Sequence, residues 1–122
     1  MSDHDSIIDS VMNDLAPILS RTRDKLLEVW HFGSSVTDFD RANDIDIAFV
    51  CKNKTSLEQT VKCIEETYPT CPVDEACNYA PIPTPPNTGL RYHFVVSSDS
   101  KTDRDLPITK SMMNGVLIWE GA

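Results

Sequence analysis

The chain has 122 residues, enough for one hydrophobic core and too few for a catalytic domain joined to a second substrate domain. Eleven basic and 19 acidic side chains leave a formal charge of −8, which disfavours a surface that grips a phosphate backbone unaided. There is no run of about 18 apolar residues and the first residues are acidic, so the sequence predicts a cytoplasmic protein with no membrane span.

Residues 5–22 carry Ile8, Val11, Leu15 and Ile18 at helical spacing, with Asp3 and Asp5 near the start, where a helix N-terminus favours negative charge. An amphipathic helix packed on a sheet follows, kinked or restarted at Pro17. Residues 25–32 read as a first strand, closed by a turn at Gly33, Ser34 and Ser35. A residue without Cβ lets backbone approach a ligand there, and backbone N–H groups with a hydroxyl can hold phosphate oxygens.

A second strand over residues 44–50 opens with Asp44 and Asp46, whose two-residue spacing puts both carboxylates on one face. Alternate residues on a strand are roughly 6.5 to 7 Å apart, a span that two divalent ions about 3.5 to 4 Å apart can bridge. Thr55-Ser56-Leu57-Glu58 has the form of a capping box, and Leu57, Val61, Ile64 and Tyr68 continue as a helix until Pro69. Strand, helix, strand at this length predicts a crossover that returns residues 71–77 beside the first two strands. Asp74 would then join the aspartate pair from about 4.8 Å away.

Residues 79–89 hold four of the eight prolines and should form a stiff extended loop, either a lid or a docking segment. Residues 91–97 alternate as a strand, with Tyr92, Phe94 and Val96 on one face and Arg91 and His93 on the other. A polar loop over 98–105, a short helix over 106–114 and a strand over 116–119 complete the chain. The fold class is α/β (α+β): one domain over 1–122, with a small mixed sheet of four to five strands and helices mainly on one face. Cys51, Cys63, Cys71 and Cys77 make no CxxC pair and read as reduced, mostly buried thiols. Arg41 reads as a solvated loop residue, and His31 and His93 as structural histidines outside the site.

Phe32-Gly33-Ser34, nine further residues, then Asp44-Ile45-Asp46-Ile47 resembles the signature of the DNA polymerase β-type nucleotidyltransferase superfamily, in particular its minimal branch. The similarity covers residues 25–77. It implies a nucleotidyltransferase-like core and transfer of a nucleoside monophosphate, AMP for choice, from a nucleoside triphosphate to an acceptor hydroxyl, with pyrophosphate leaving. It also implies two Mg²⁺ or Mn²⁺ ions held by Asp44, Asp46 and Asp74 as metal and catalytic residues, with Asp74 accepting the hydroxyl proton. Gly33, Ser34 and Ser35 would bind the nucleotide. The acceptor is expected to be a protein or small molecule before a nucleic acid, and a homodimer or a separate helical protein is the expected partner. The alternative is a catalytically inactive module of the same fold with a binding or regulatory, antitoxin-like role.

Overall fold

The structure, a computed structural model, describes residues 3–33, 36, 45–78 and 92–121. Helix α1 (Asp3–Thr22) runs through Pro17 as one element, so the kink or restart expected there does not divide it. Strand β1 (Leu26–Phe32) pairs antiparallel with β2 (Ile45–Cys51), and β2 is followed by helix α2 (Lys54–Thr67). Strand β3 (Val73–Glu75) leads into a 3₁₀ turn at Ala76–Asn78. After β4 (Tyr92–Ser98) come two short helices, α3 (Lys101–Arg104) and α4 (Pro107–Met112), and β5 (Val116–Glu120).

Helix α2 does not begin on the capping box that its sequence suggests. Asn53 is the N-cap, and its side chain accepts from the Ser56 N–H at 2.8 Å. Asn satisfies an orphan donor as well as Ser or Thr does, and its position one residue before Lys54 caps the helix two residues earlier than Thr55 would. The polar stretch after β4 holds a helical turn, because the Ser100 side chain accepts from the Asp103 N–H.

The sheet order is β3-β4-β2-β1-β5, with β4 parallel to both β2 and β3. This corrects the expected placement of the third strand: β3 lies at the edge beside β4, one strand away from β2. The reason is burial. β4 is buried at six of its seven positions and belongs inside a sheet, whereas the three residues of β3 are only half-buried and suit an edge.

One face of the sheet is closed by α1 and α2. Val11, Leu15, Ile18, Leu57 and Ile64 from the helices meet Val29, Ile47, Phe49, Phe94 and Val96 from the strands, all excluded from solvent. Tyr68, Tyr92 and Phe94 stack here, and the hydroxyls of Tyr68 and Tyr92 donate to the Asp14 carbonyl at 2.5 Å and to Asp14 Oδ2 at 2.6 Å. Burial, followed by the bond to Asp14, pushes the Tyr92 phenol well above its ordinary value. Trp119, partly buried, packs against this core.

The other face is lined by Phe32, Ala48, Val50, Val95 and Met112, with Leu106 and Ile108 of the short helices against it. Cys51, Cys63 and Cys71 are buried, Cys77 is exposed, and none is in a disulfide. Among the described residues no helix is long and apolar enough to cross a membrane.

Candidate functional site

The second face carries the charges. On β2, Asp46 precedes Ala48 by two residues, and on β4, His93 precedes Val95 by two, so both side chains share the face that holds Ala48 and Val95. The parallel register sets Asp46 directly opposite His93 and Asp74 opposite Val95. Asp46 and Asp74 thus approach from either side of β4, and His93 stands between them.

The imidazole makes both contacts. Its Nε2 lies 2.7 Å from Asp74 Oδ2, and its Nδ1 lies 3.3 Å from Asp46 Oδ1. The three side chains are 18% to 29% exposed, open enough for a small ligand and dry enough to strengthen the charges. Asp46 chiefly, and Asp74 after it, stabilise the imidazolium against the opposing effect of burial, and the ring is pushed up to about 9. At neutral pH His93 is a cation held between two carboxylates.

Gly33 completes the described part of the site. It ends β1 with φ of 81°, a left-handed conformation that side chains with a Cβ rarely adopt, and a Cβ built there would overlap Asp46 Oδ2. The sequence suggests this glycine for close approach to a ligand. In the fold it lets the backbone at the end of β1 lie close to Asp46 Oδ2, while Oδ1 is the oxygen near His93. The Val36 N–H donates to the Gly33 carbonyl at 3.2 Å.

The structure therefore brings together Gly33, Asp46 and Asp74 of the residues expected from sequence. Asp44, Ser34 and Ser35 lie outside the described residues, as do the proline-rich stretch 79–89, Arg41 and Arg91. The missed residue is His93. Its alternation with Tyr92 and Phe94 marks it as facing away from the core, but only the strand order sets it between two carboxylates.

Hard carboxylate oxygens match the donor set that Mg²⁺ or Mn²⁺ uses, so Asp46 and Asp74 fit such an ion chemically. As placed, they are separated by the imidazole. Among the described residues no group of three or more His, Cys, Asp and Glu is arranged to hold a metal ion. Comparison with known proteins returns no match: no family model, no curated relative and no solved structure is significantly similar to this chain.

Proposed function

We propose that the protein is a cytoplasmic metal-dependent nucleotidyltransferase, moving a nucleoside monophosphate from a triphosphate, ATP for choice, to an acceptor hydroxyl. The observation that carries the reading is that Asp46 and Asp74 flank His93 on one sheet face, with the left-handed Gly33 backbone against Asp46. A sheet face that gathers carboxylates beside a tight glycine turn suits a cation and the phosphates it neutralises.

Asp46 and Asp74, with Asp44 next to Asp46's strand in sequence, are the residues that would hold the divalent ions, Mg²⁺ or Mn²⁺. When bound, such ions supply the positive charge that makes the α-phosphorus open to attack and stabilises the departing pyrophosphate. The turn at Gly33, Ser34 and Ser35 orients the triphosphate through backbone N–H groups and hydroxyls. Asp74 is the group suited to take the acceptor proton: a carboxylate accepts through two oxygens, so one can hold His93 while the other receives the proton. The acceptor is a protein or small molecule, given the charge of −8, and a homodimer or helical partner would close a site that one small domain leaves open.

The inactive-module reading has one observation in its favour, the imidazole that fills the space between the carboxylates. Both readings meet the same experiment. The purified chain is incubated with each α-labelled triphosphate, Mg²⁺ or Mn²⁺, and a lysate of acceptors. The expected result is acceptor labelling with pyrophosphate release, reduced at least about 100-fold by Asp46→Asn. Triphosphate binding without label transfer or pyrophosphate would leave the inactive module standing. Equal labelling by wild type and Asp46→Asn would overturn the assignment of the site.

A further inference from the structure

We infer that residues 100–115, which carry α3 and α4, form a strap that lifts from the second face of the sheet and uncovers a subsite for the acceptor next to Asp46 and Asp74. The lifting stands on the strap itself, and what it admits rests on the proposed nucleotidyl transfer.

The layer under the strap is not a finished core. Ser97 alternates with Val95 along β4, so its side chain lies on the face that α4 covers. Thr109 stands one turn before Met112 on α4, on the side of the helix that packs with Phe32, Ala48 and Val95. Both residues are fully shielded from solvent, and neither hydroxyl has a hydrogen-bond partner among the described residues. A helical threonine can donate to the carbonyl one turn back, as Thr22 does to Ile18 and Thr67 to Cys63. Thr109 does not. Closing the strap takes two hydroxyls out of water and gives them nothing in return, which raises the closed state relative to a lifted one.

The strap is anchored at its ends and latched lightly between them. At its start, Asp103 Oδ2 accepts from the N–H and the hydroxyl of Ser98, each at 2.8 Å. At its end, Gly115 lies so close to β1 that a Cβ there would overlap the His31 carbonyl and Phe32. The latch is Arg104, which pairs with Asp99 at 2.6 Å and reaches Glu28 on β1 at 3.5 Å, the three side chains being 24% to 42% exposed. Ion pairs this wet hold weakly. Helices of four and six residues, as α3 and α4 are, have little stability of their own. Such a segment opens locally while the sheet stays folded.

What it uncovers runs into the charged cluster. Ala48 follows Asp46 and Val95 follows His93 by two residues on the same face, so an apolar strip leads from the Ser97 hydroxyl to the carboxylates. The strip suits an acceptor with an apolar body and a hydrogen-bonding group, its reacting hydroxyl toward Asp74.

Amide hydrogen exchange of the whole chain, followed by mass spectrometry without nucleotide at several low denaturant concentrations, reads the lifting. Amides of residues 104–113 should exchange at least about 100-fold faster than those of β4, at a rate nearly independent of denaturant. Thr109→Val and Ser97→Ala remove the orphan hydroxyls with little change of shape, so each should slow strap exchange about fivefold. Arg104→Gln should speed it about threefold. Strap exchange with the rate and denaturant dependence of β4, or faster exchange in both hydroxyl variants, overturns the lifting strap. The two hydroxyl variants should also lower kcat/KM for acceptor labelling about fivefold and leave triphosphate affinity within about twofold. Unchanged labelling with slowed exchange overturns the acceptor subsite. A chain that transfers no nucleotide but shows the same local, variant-slowed exchange would refute nucleotidyl transfer and leave the lifting strap standing.

Discussion

His93 and Phe94 are neighbours on β4 and face opposite sides of the same sheet, and the two sides have different work. Phe94 faces α1 and α2, where it is fully buried with Phe49 5.9 Å and Tyr92 5.5 Å away between ring centres. His93 faces the side that, among the described residues, carries the short helices α3 and α4, where the apolar lining of Ala48, Val50 and Val95 gives way to Asp46, His93 and Asp74. Long helices can close a sheet face completely, and each large side chain buried there contributes roughly 1.5 to 3 kcal/mol. The concentration of apolar burial on one face leaves the other able to carry a charged cluster.

The sharpest way to break that contrast is to truncate the two neighbours separately. Phe94→Ala should destabilise the fold by about 3 to 5 kcal/mol, since the closely packed aromatic cluster cannot collapse into the space left. Chemical denaturation monitored by circular dichroism gives the number. A loss under about 1 kcal/mol would mean that the two faces share the stability evenly.

Much of the dry face was legible in the sequence, because periodicity reports burial directly. Val11, Leu15 and Ile18, read as a helical stripe, are all excluded from solvent, and Leu57 and Ile64 do the same for α2. The Tyr92, Phe94 and Val96 alternation of β4 also holds. The charged face was legible only in parts. Asp46 and Asp74 stood out as carboxylates near strand starts, but the periodicity that places residues on a face says nothing about the order of strands within a sheet. With β3 assumed to lie against β2, there was no place for an imidazole between the aspartates. With β4 inserted, His93 falls between them. The Asn53 cap was missed for a local reason: Thr55 and Glu58 matched a capping pattern two residues too late.

Gly33 joins the two faces of the argument, since it terminates a core strand and packs on Asp46. Gly33→Val should cost about 2 to 4 kcal/mol, combining a β-branched residue at positive φ with overlap on the Asp46 carboxylate. The same variant should lose triphosphate affinity by more than it loses Mn²⁺ affinity, because the turn, not the ion, is rebuilt. Isothermal titration with both ligands checks the pair. Unchanged stability would show that the turn relaxes freely and that the charged face is held by its ion pairs alone.

The smallest effect is the pH dependence that the charged face should add to the stability. His93 has an ordinary value of 6.5 and is pushed up to about 9 in the fold, first by Asp46, with burial opposing and Asp74 assisting. Folded protein therefore binds the His93 proton more tightly than unfolded protein does. The stabilisation is fully present below about pH 6.5, where both states are protonated, and it declines as pH rises toward 9, where the folded ring loses its charge. A difference on the order of 2 kcal/mol between pH 6 and pH 9.5 is expected from a shift of this size. Denaturation midpoints measured across that window should fall with rising pH in wild type and fall much less in His93→Gln, whose amide reaches the same carboxylates and carries no titrating charge. Phe94→Ala should keep the wild-type slope despite its lower stability, because its loss lies on the face that has no part in this titration. A flat profile in wild type would remove the imidazolium from between the aspartates and leave the two carboxylates to face each other, or a metal ion, directly.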